Sequence, residues 1–268
     1  MRQVDDFLPP MLAVTAPRAF SSPDWWFEIK WDGFRALAHT GRQFHVFSRS
    51  GRDLLADIPA LTALRDALPD DVIVDGELLK WVDGQSAFFA IRHAGPGCYV
   101  LVVFDCLYAR GQWLLDQPLT RRQEVLRRWI HGSPKVVVAD GLVGEGEAYF
   151  QAAWDLGLEG VMAKRLTSPY EPGRRSDAWQ KFLVLHQEDL WVAQASQTGA
   201  GDWWWAISRD PQGREVVARL RAPKNWPTPA SGSSLSLDVP IRVQVEYRQR
   251  TGRGRLRHAR IRQWAFSD

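Results

Sequence analysis

Cysteine is nearly absent from this chain: Cys98 and Cys106 are the only two. They lack Cys-x-x-Cys spacing, and no histidine cluster stands near them. A zinc centre is therefore not expected, and the pair reads as two reduced, buried thiols of an intracellular protein. No apolar run approaches the length needed to span a bilayer. The first residues lack the basic region and apolar core of a signal peptide, so a cytoplasmic enzyme with no membrane partner is expected. Internal repeats are missing too. An overall excess of one charge is also missing, since 34 Lys and Arg stand against 31 Asp and Glu. Tryptophan, in contrast, is abundant at 14 residues, but aromatic clusters are usually core or interface mass, so no function is read from it.

The small positive balance is unevenly placed. Arg242, Arg248, Arg250, Arg253, Arg255, Arg257, Arg260 and Arg262 fall in one stretch, with Glu246 its only acid. Such a local excess is an electrostatic footprint for polyphosphate, nucleic acid above all.

Strand-like segments run over 26–29, 35–40, 44–48, 72–79 and 99–107. Between them, Leu61, Leu64 and Leu68 give 59–68 a helical spacing. A second helix is expected over 120–130, capped by Thr120 and burying Val125, Leu126 and Trp129. A third is expected over 144–156, ending at Gly157. This mixture is α+β, not the alternation of a parallel sheet. Residues 183–188 read as a hinge. Beyond it lie short strands, with turn chemistry at Asp210-Pro211-Gln212-Gly213 predicting a hairpin. A domain over 1–185 followed by a small all-β domain over 186–268, a barrel of the OB type, is the expected organisation.

The most informative stretch is Lys30-Trp31-Asp32-Gly33-Phe34-Arg35. A lysine acts as a nucleophile only when desolvation or neighbouring cations favour its neutral amine. Arg35 is suited to hold a phosphate, and Gly33 lets the backbone pass closely. Further charged islands follow in order: Ser48-Arg49-Ser50-Gly51-Arg52, Asp75-Gly76-Glu77, Phe104-Asp105, Glu159-Gly160-Val161-Met162-Ala163-Lys164 and Trp179-Gln180-Lys181-Phe182. Glu28, two residues before Lys30, projects to the same strand face.

Together these motifs resemble those of the ATP-dependent DNA ligases, closest to the ligase module of bacterial nonhomologous end-joining enzymes and their stand-alone minimal relatives. The resemblance extends from Pro10-Met11-Leu12-Ala13 through Tyr170-Glu171-Pro172-Gly173-Arg174-Arg175-Ser176. It implies a nucleotidyltransferase (adenylation) domain with mainly antiparallel sheets, followed by the OB-fold domain. Lys30 would take AMP from ATP, pass it to a 5′-phosphate, and a 3′-hydroxyl would then displace it. Arg35, Arg49, Lys164 and Lys181 would stabilise phosphate charge, and Glu28 and Ile29 would border the adenine. Phe104 either packs on the base or is simply core. Glu77 contacts ribose or metal, Glu159 helps hold Mg2+ or Mn2+, and Asp32 either orients the amine or assists the metal.

The resemblance further implies nicked double-stranded DNA as substrate, gripped through Arg248, Arg253, Arg255 and Arg257. It brings in Ku and a repair polymerase as partners of a monomeric, nucleoid-associated protein. RNA ligases, capping guanylyltransferases and a non-catalytic nucleic-acid-binding relative are the competing readings. The chain ends as Trp264-Ala265-Phe266-Ser267-Asp268, without the basic residues the family's last motif usually carries. Either Arg260 or Arg262 substitutes, or self-adenylation is weak.

Overall fold

The computed structural model describes residues 6–82, 85–86, 98–131, 133–197, 202–223, 234–252 and 254–265. The chain divides into two compact units, Met1–Leu183 and Val184–Asp268. The first begins with β1 (Leu12–Thr15), β2 (Ser22–Ile29), β3 (Phe34–Thr40) and β4 (Phe44–Ser48), then a 3-10 helix over Pro59–Ala67. Next come β5 (Val72–Val82), β6 (Gln85–Ser86), β7 (Cys98–Ala109), β8 (Gln112–Trp113) and helix α1 (Leu119–Trp129). It closes with β9 (Val136–Val138), β10 (Gly141–Gly144), helix α2 (Gly146–Asp155), β11 (Gly160–Arg165) and β12 (Arg175–Leu183). One sheet has the order β1-β12-β11-β2-β10, the other β4-β3-β5-β7-β8 with β6 on β5 and β9 on β7. Among the described residues of this unit only β1–β12 and β7–β9 pair in parallel, so the architecture is the mainly antiparallel α+β that was expected.

Alternation along the strands sorts the side chains into layers. On β3 and β5, Ala36, Ala38, Val72, Val74 and Leu78 face the 3-10 helix and α1. Leu37, Ile73 and Leu79 point the other way, into a core shared with Met11, Tyr170 and Trp179. The far face of the β1-β12-β11-β2-β10 sheet, with Phe27, Val161, Ala163 and Phe182, packs on α2. The space between the two sheets therefore takes one parity of residues from each.

Several local expectations are corrected. Thr120 is not a cap: α1 starts at Leu119 behind Pro118, whose ring presets the entry and whose carbonyl accepts the N–H groups of Arg121 and Arg122. Trp129 is half-buried, lying under the guanidinium of Arg110 at 3.5 Å. The third helix starts at Gly146, because Gly141–Gly144 pairs with β2 as an edge strand. Cys98 is exposed, and only Cys106 is buried. No helix among the described residues is long and apolar enough to cross a membrane.

The second unit contains β13 (His186–Gln197), β14 (Trp203–Ser208), β15 (Val216–Arg221), β16 (Ser234–Tyr247), β17 (Gln249–Arg250), β18 (Leu256–Arg257) and β19 (Arg260–Ala265). Its sheet order is β15-β14-β13-β16-β19, with β17-β18 a separate hairpin. Leu190, Val192, Trp203, Trp205, Ile207, Val243 and Val245 form its core. Of the expected hinge over 183–188, residues 186–188 belong to β13. The turn joining β14 to β15 is organised by Asp210, whose carboxylate accepts the N–H groups of Gln212, Arg214 and Glu215.

Candidate active site

Trp26, Glu28 and Lys30 lie on one side of β2, and Met162 with Lys164, and Trp179 with Lys181, share that side on β11 and β12. Arg35, Asp75, Glu77 and Phe104 face them from the other sheet. Here the two sheets part into a cleft of about 980 Å³, lined among others by Glu28, Ile29, Lys30, Arg35, Arg49, Glu77, Phe104, Lys164 and Lys181. Sequence-distant residues thus meet in one place. Asp32 stands beside this lining, which includes its neighbours Trp31 and Gly33. Gly33 has to be glycine: a Cβ there would sit 2.4 Å from the Leu78 carbonyl oxygen. Gly160 is equally constrained, with φ +149° and the Phe182 carbonyl oxygen 2.0 Å from a Cβ position.

The Lys30 backbone N–H donates to the Gly160 carbonyl at 2.9 Å, which carries the β2–β11 pairing one residue beyond the strand. That contact sets Glu159 beside the lysine, and Nζ meets Glu159 Oε2 at 2.5 Å. Glu159 is buried while Lys30 remains partly open to the cleft. Glu77 approaches from the facing sheet, and its Oε1 accepts the Gly33 N–H at 3.2 Å. Burial raises its carboxyl to about 7, against the opposing pull of Arg35 and Lys30.

Deeper in, Lys164 pairs with Glu28, both almost fully buried. In the β2–β11 ladder Lys164 stands opposite Trp26 and Met162 opposite Glu28, so the ion pair is a diagonal one. Trp26 Nε1–H donates to the second Glu28 oxygen at 2.9 Å. The ammonium also lies 4.1 Å from the Phe104 ring centroid and 4.5 Å from that of Trp179, an aromatic cage for a buried cation. Burial pushes the Glu28 carboxyl up, and Lys164 opposes the shift. Phe104 is buried and in the cleft wall, so core packing and a face for a ligand coexist in one ring.

Arg35 makes another diagonal pair. It stands opposite Glu77 in the β3–β5 ladder, yet its Nε and Nη2 donate to Asp75 at 2.5 Å each. Arg49 is exposed at the rim. Sequence reasoning missed Asp75, Trp179 and Tyr170 as working parts of this site. Strand parity alone marks Asp75, two residues before Glu77 and on the same face.

In the second unit the arginine-rich stretch is less available than its composition implies. Arg260 and Arg262 both donate to Glu246, at 2.6 and 2.8 Å. Arg242 pairs with Asp189 at 2.9 Å, and Arg250 pairs with Glu188. Arg257 donates to Gln249 at 2.7 Å. Arg248 is half-buried and Arg255 exposed. Arg253 lies outside the described residues.

The family model described as ATP dependent DNA ligase domain matches residues 10–182. The SPbeta prophage-derived DNA ligase-like protein LigB of Bacillus subtilis is 32% identical over 184 residues, covering 66% of this chain and 67% of that protein. The multifunctional non-homologous end joining DNA repair protein LigD of Mycobacterium tuberculosis is 36% identical over 181 residues, covering 66% of this chain but 24% of that protein. The chain thus matches about a quarter of the length of this end-joining relative. Among solved structures, the ligase domain from M. tuberculosis LigD superposes with a TM-score of 0.63 at 27% identity, covering 96% of this chain and 95% of that one. A mycobacterial DNA ligase D complexed with ATP and MES gives 0.62 at 28% identity, with the same coverage.

Proposed function

The chain belongs to the ATP-dependent DNA ligase family, and from that premise we propose that it seals nicks in double-stranded DNA through AMP carried on Lys30. The observation that carries this reading is the Lys30–Glu159 contact in the cleft, with Glu77 facing it. Glu159 fixes the direction of Nζ and is placed to take the proton the amine must lose on attack. Attack on the α-phosphate of ATP forms the N–P bond and releases pyrophosphate. The AMP then passes to a 5′-phosphate, and a 3′-hydroxyl displaces it as the phosphodiester bond forms. Arg35, Lys181 and Arg49 supply positive charge along the cleft for these phosphates. The Glu28–Lys164 pair and Phe104 supply the wall against which a base would rest.

Glu77 and Glu159 approach Lys30 from opposite sheets and offer only oxygen donors. That donor set suits Mg2+ or Mn2+ when substrate phosphates and water complete the coordination. Among the described residues no cluster of three or more His, Cys, Asp or Glu could hold a metal alone. Bound there with substrate, the ion would offset phosphate charge.

The second unit, a five-stranded antiparallel sheet with a hairpin, is proposed to be an OB-fold that follows the DNA backbone. Arg248, Arg255 and Arg257 are its candidate phosphate contacts. The relatives' names support end joining as the setting; Ku and a repair polymerase are the partners proposed for it. The test is incubation with α-labelled ATP or GTP, followed by nicked DNA. Label should appear on the protein from ATP alone and chase to a DNA adenylate and a sealed product. Failure of the parent protein to label overturns the reading.

A further inference from the structure

A buried ring of hydrogen bonds stands behind Arg35, and the reaction as described does not use it. Asp75 is fully buried and accepts both Nε and Nη2 of Arg35. Its Oδ2 also accepts the Tyr170 hydroxyl at 2.6 Å. Tyr170 in turn accepts the Met11 backbone N–H at 3.0 Å. Arg35 Nη2 closes the ring by donating to the Met11 carbonyl at 3.2 Å. Burial, reinforced by the Asp75 charge, holds the phenol well above its usual range, so it keeps its proton and donates to Asp75.

The ring commits Nε and both hydrogens of Nη2, which leaves the hydrogens of Nη1. The guanidinium also lies over Phe104 at 4.8 Å and near Trp179 at 5.6 Å, and Arg35 lines the cleft. A guanidinium with one edge locked and one face stacked offers an anion a single fixed pair of donors. Tyr170, buried behind Asp75, is outside the cleft wall.

We propose that Tyr170 is a positioning residue for ligation, its hydroxyl holding Asp75, and through it Arg35, so that Nη1 meets a phosphate group. The proposal rests on the nick-sealing reading above. The phosphate belongs either to ATP or to the 5′ end of the nick, and the partial reactions separate these sources. A structural hydrogen bond alone would lower stability and slow every step alike. Positioning slows only the step in which Arg35 works.

The test compares Tyr170→Phe, Arg35→Ala and the double variant of the full chain in three single-turnover reactions. These are lysine adenylation by ATP, AMP transfer to a 5′-phosphorylated nick, and closure of a pre-adenylated nick. Tyr170→Phe should slow by about tenfold the step that Arg35→Ala slows most, the size expected for one hydrogen bond to a charged group. The double variant should be no slower than Arg35→Ala, because the two act as one unit. A loss confined to adenylation assigns the phosphate to ATP, and a loss in the later steps assigns it to the nick. Multiplying losses, parent-like rates for Tyr170→Phe, or an Arg35→Ala that slows nothing overturn the proposal. If Tyr170→Phe does not fold, 3,5-difluorotyrosine at 170 keeps the shape and alters only the donor strength. It should then change the Arg35-dependent step alone, and an equal effect on all steps, or none, overturns the proposal. A parent protein that never labels with AMP instead overturns the underlying reading, so the two failures are distinct.

Discussion

Lys164 and Arg260 are both strand cations held by a carboxylate, but their surroundings differ completely. Lys164 is buried between two sheets, paired with an equally buried Glu28 and caged by two aromatic rings. Arg260 lies largely in solvent and shares Glu246 with Arg262. The cleft of the first unit hides this pair and holds both members against fixed neighbours. The second spreads many arginines over its surface and offsets several with acids from neighbouring strands. Cations fixed in a dry cleft stabilise charge forming at one point. Exposed ones contribute a diffuse, salt-screened attraction.

The strongest way to break this contrast is at Lys30. Lys30→Ala should abolish covalent labelling by ATP, and Lys30→Arg should fail as well, because a guanidinium does not deprotonate to a nucleophile. Labelled protein on a denaturing gel is the readout, and a band from either variant removes the lysine from its role.

Ion-pair energetics sharpen the contrast next. Arg122 and Asp105 are both fully buried, and the remaining Arg122 donors satisfy the carbonyls of Gln117 and Ser168 at 2.7 Å. Arg122→Ala leaves the Asp105 charge without its partner and should cost about 3–5 kcal/mol in urea unfolding. Arg242→Ala, at a pair exposed on both sides, should cost at most about 1 kcal/mol. Equal losses would mean that burial does not separate the two units.

Glu77 gives a smaller, pH-dependent effect. Burial raises its carboxyl from 4.5 to about 7 in the folded protein, so between those values the native state binds more protons than the unfolded chain. Its contribution to stability is therefore complete below the lower value and lost as pH rises through the upper one, with a slope limited to about 1.4 kcal/mol per pH unit. Glu77→Gln should remove this component of the fall between pH 4.5 and about 7. Unfolding curves across that window check it, and an unchanged slope would mean another group titrates there.

Much of the cleft was legible because strand alternation is local. Glu28 and Lys30 share a face by parity alone, and the same parity marks Asp75 beside Glu77, though that pairing was passed over. The partners were not legible, because pairing joins residues far apart in the chain: Lys30 meets Glu159 across 129 positions and Tyr170 meets Asp75 across 95. Thr120 had cap chemistry, but Pro118 had already fixed the backbone entry to α1. The arginine stretch misled for a similar reason. Counting acids within it found Glu246, whereas Glu188 and Asp189 come from β13, whose pairing with β16 brings them alongside.

That last point leads to the smallest expected effect. Arg255 is exposed, while Arg257 is half-buried and bonded to a neutral Gln249 oxygen. Arg242, in contrast, pairs with Asp189 on the neighbouring strand. A phosphate contact releases condensed counterions, so each one lost should flatten the dependence of log affinity on log salt by about 0.9. Arg255→Ala with Arg257→Ala should therefore reduce the slope for nicked DNA by up to about two units. Labelling by ATP should be unchanged when these arginines serve DNA alone. Arg242→Ala should leave the slope nearly as it was, because removing an arginine already paired to Asp189 frees a carboxylate along with the lost charge. An equal flattening in both variants would show that composition, not pairing, sets the second unit's attraction for DNA. A loss of labelling with the slope intact would instead move Arg255 and Arg257 to the nucleotide.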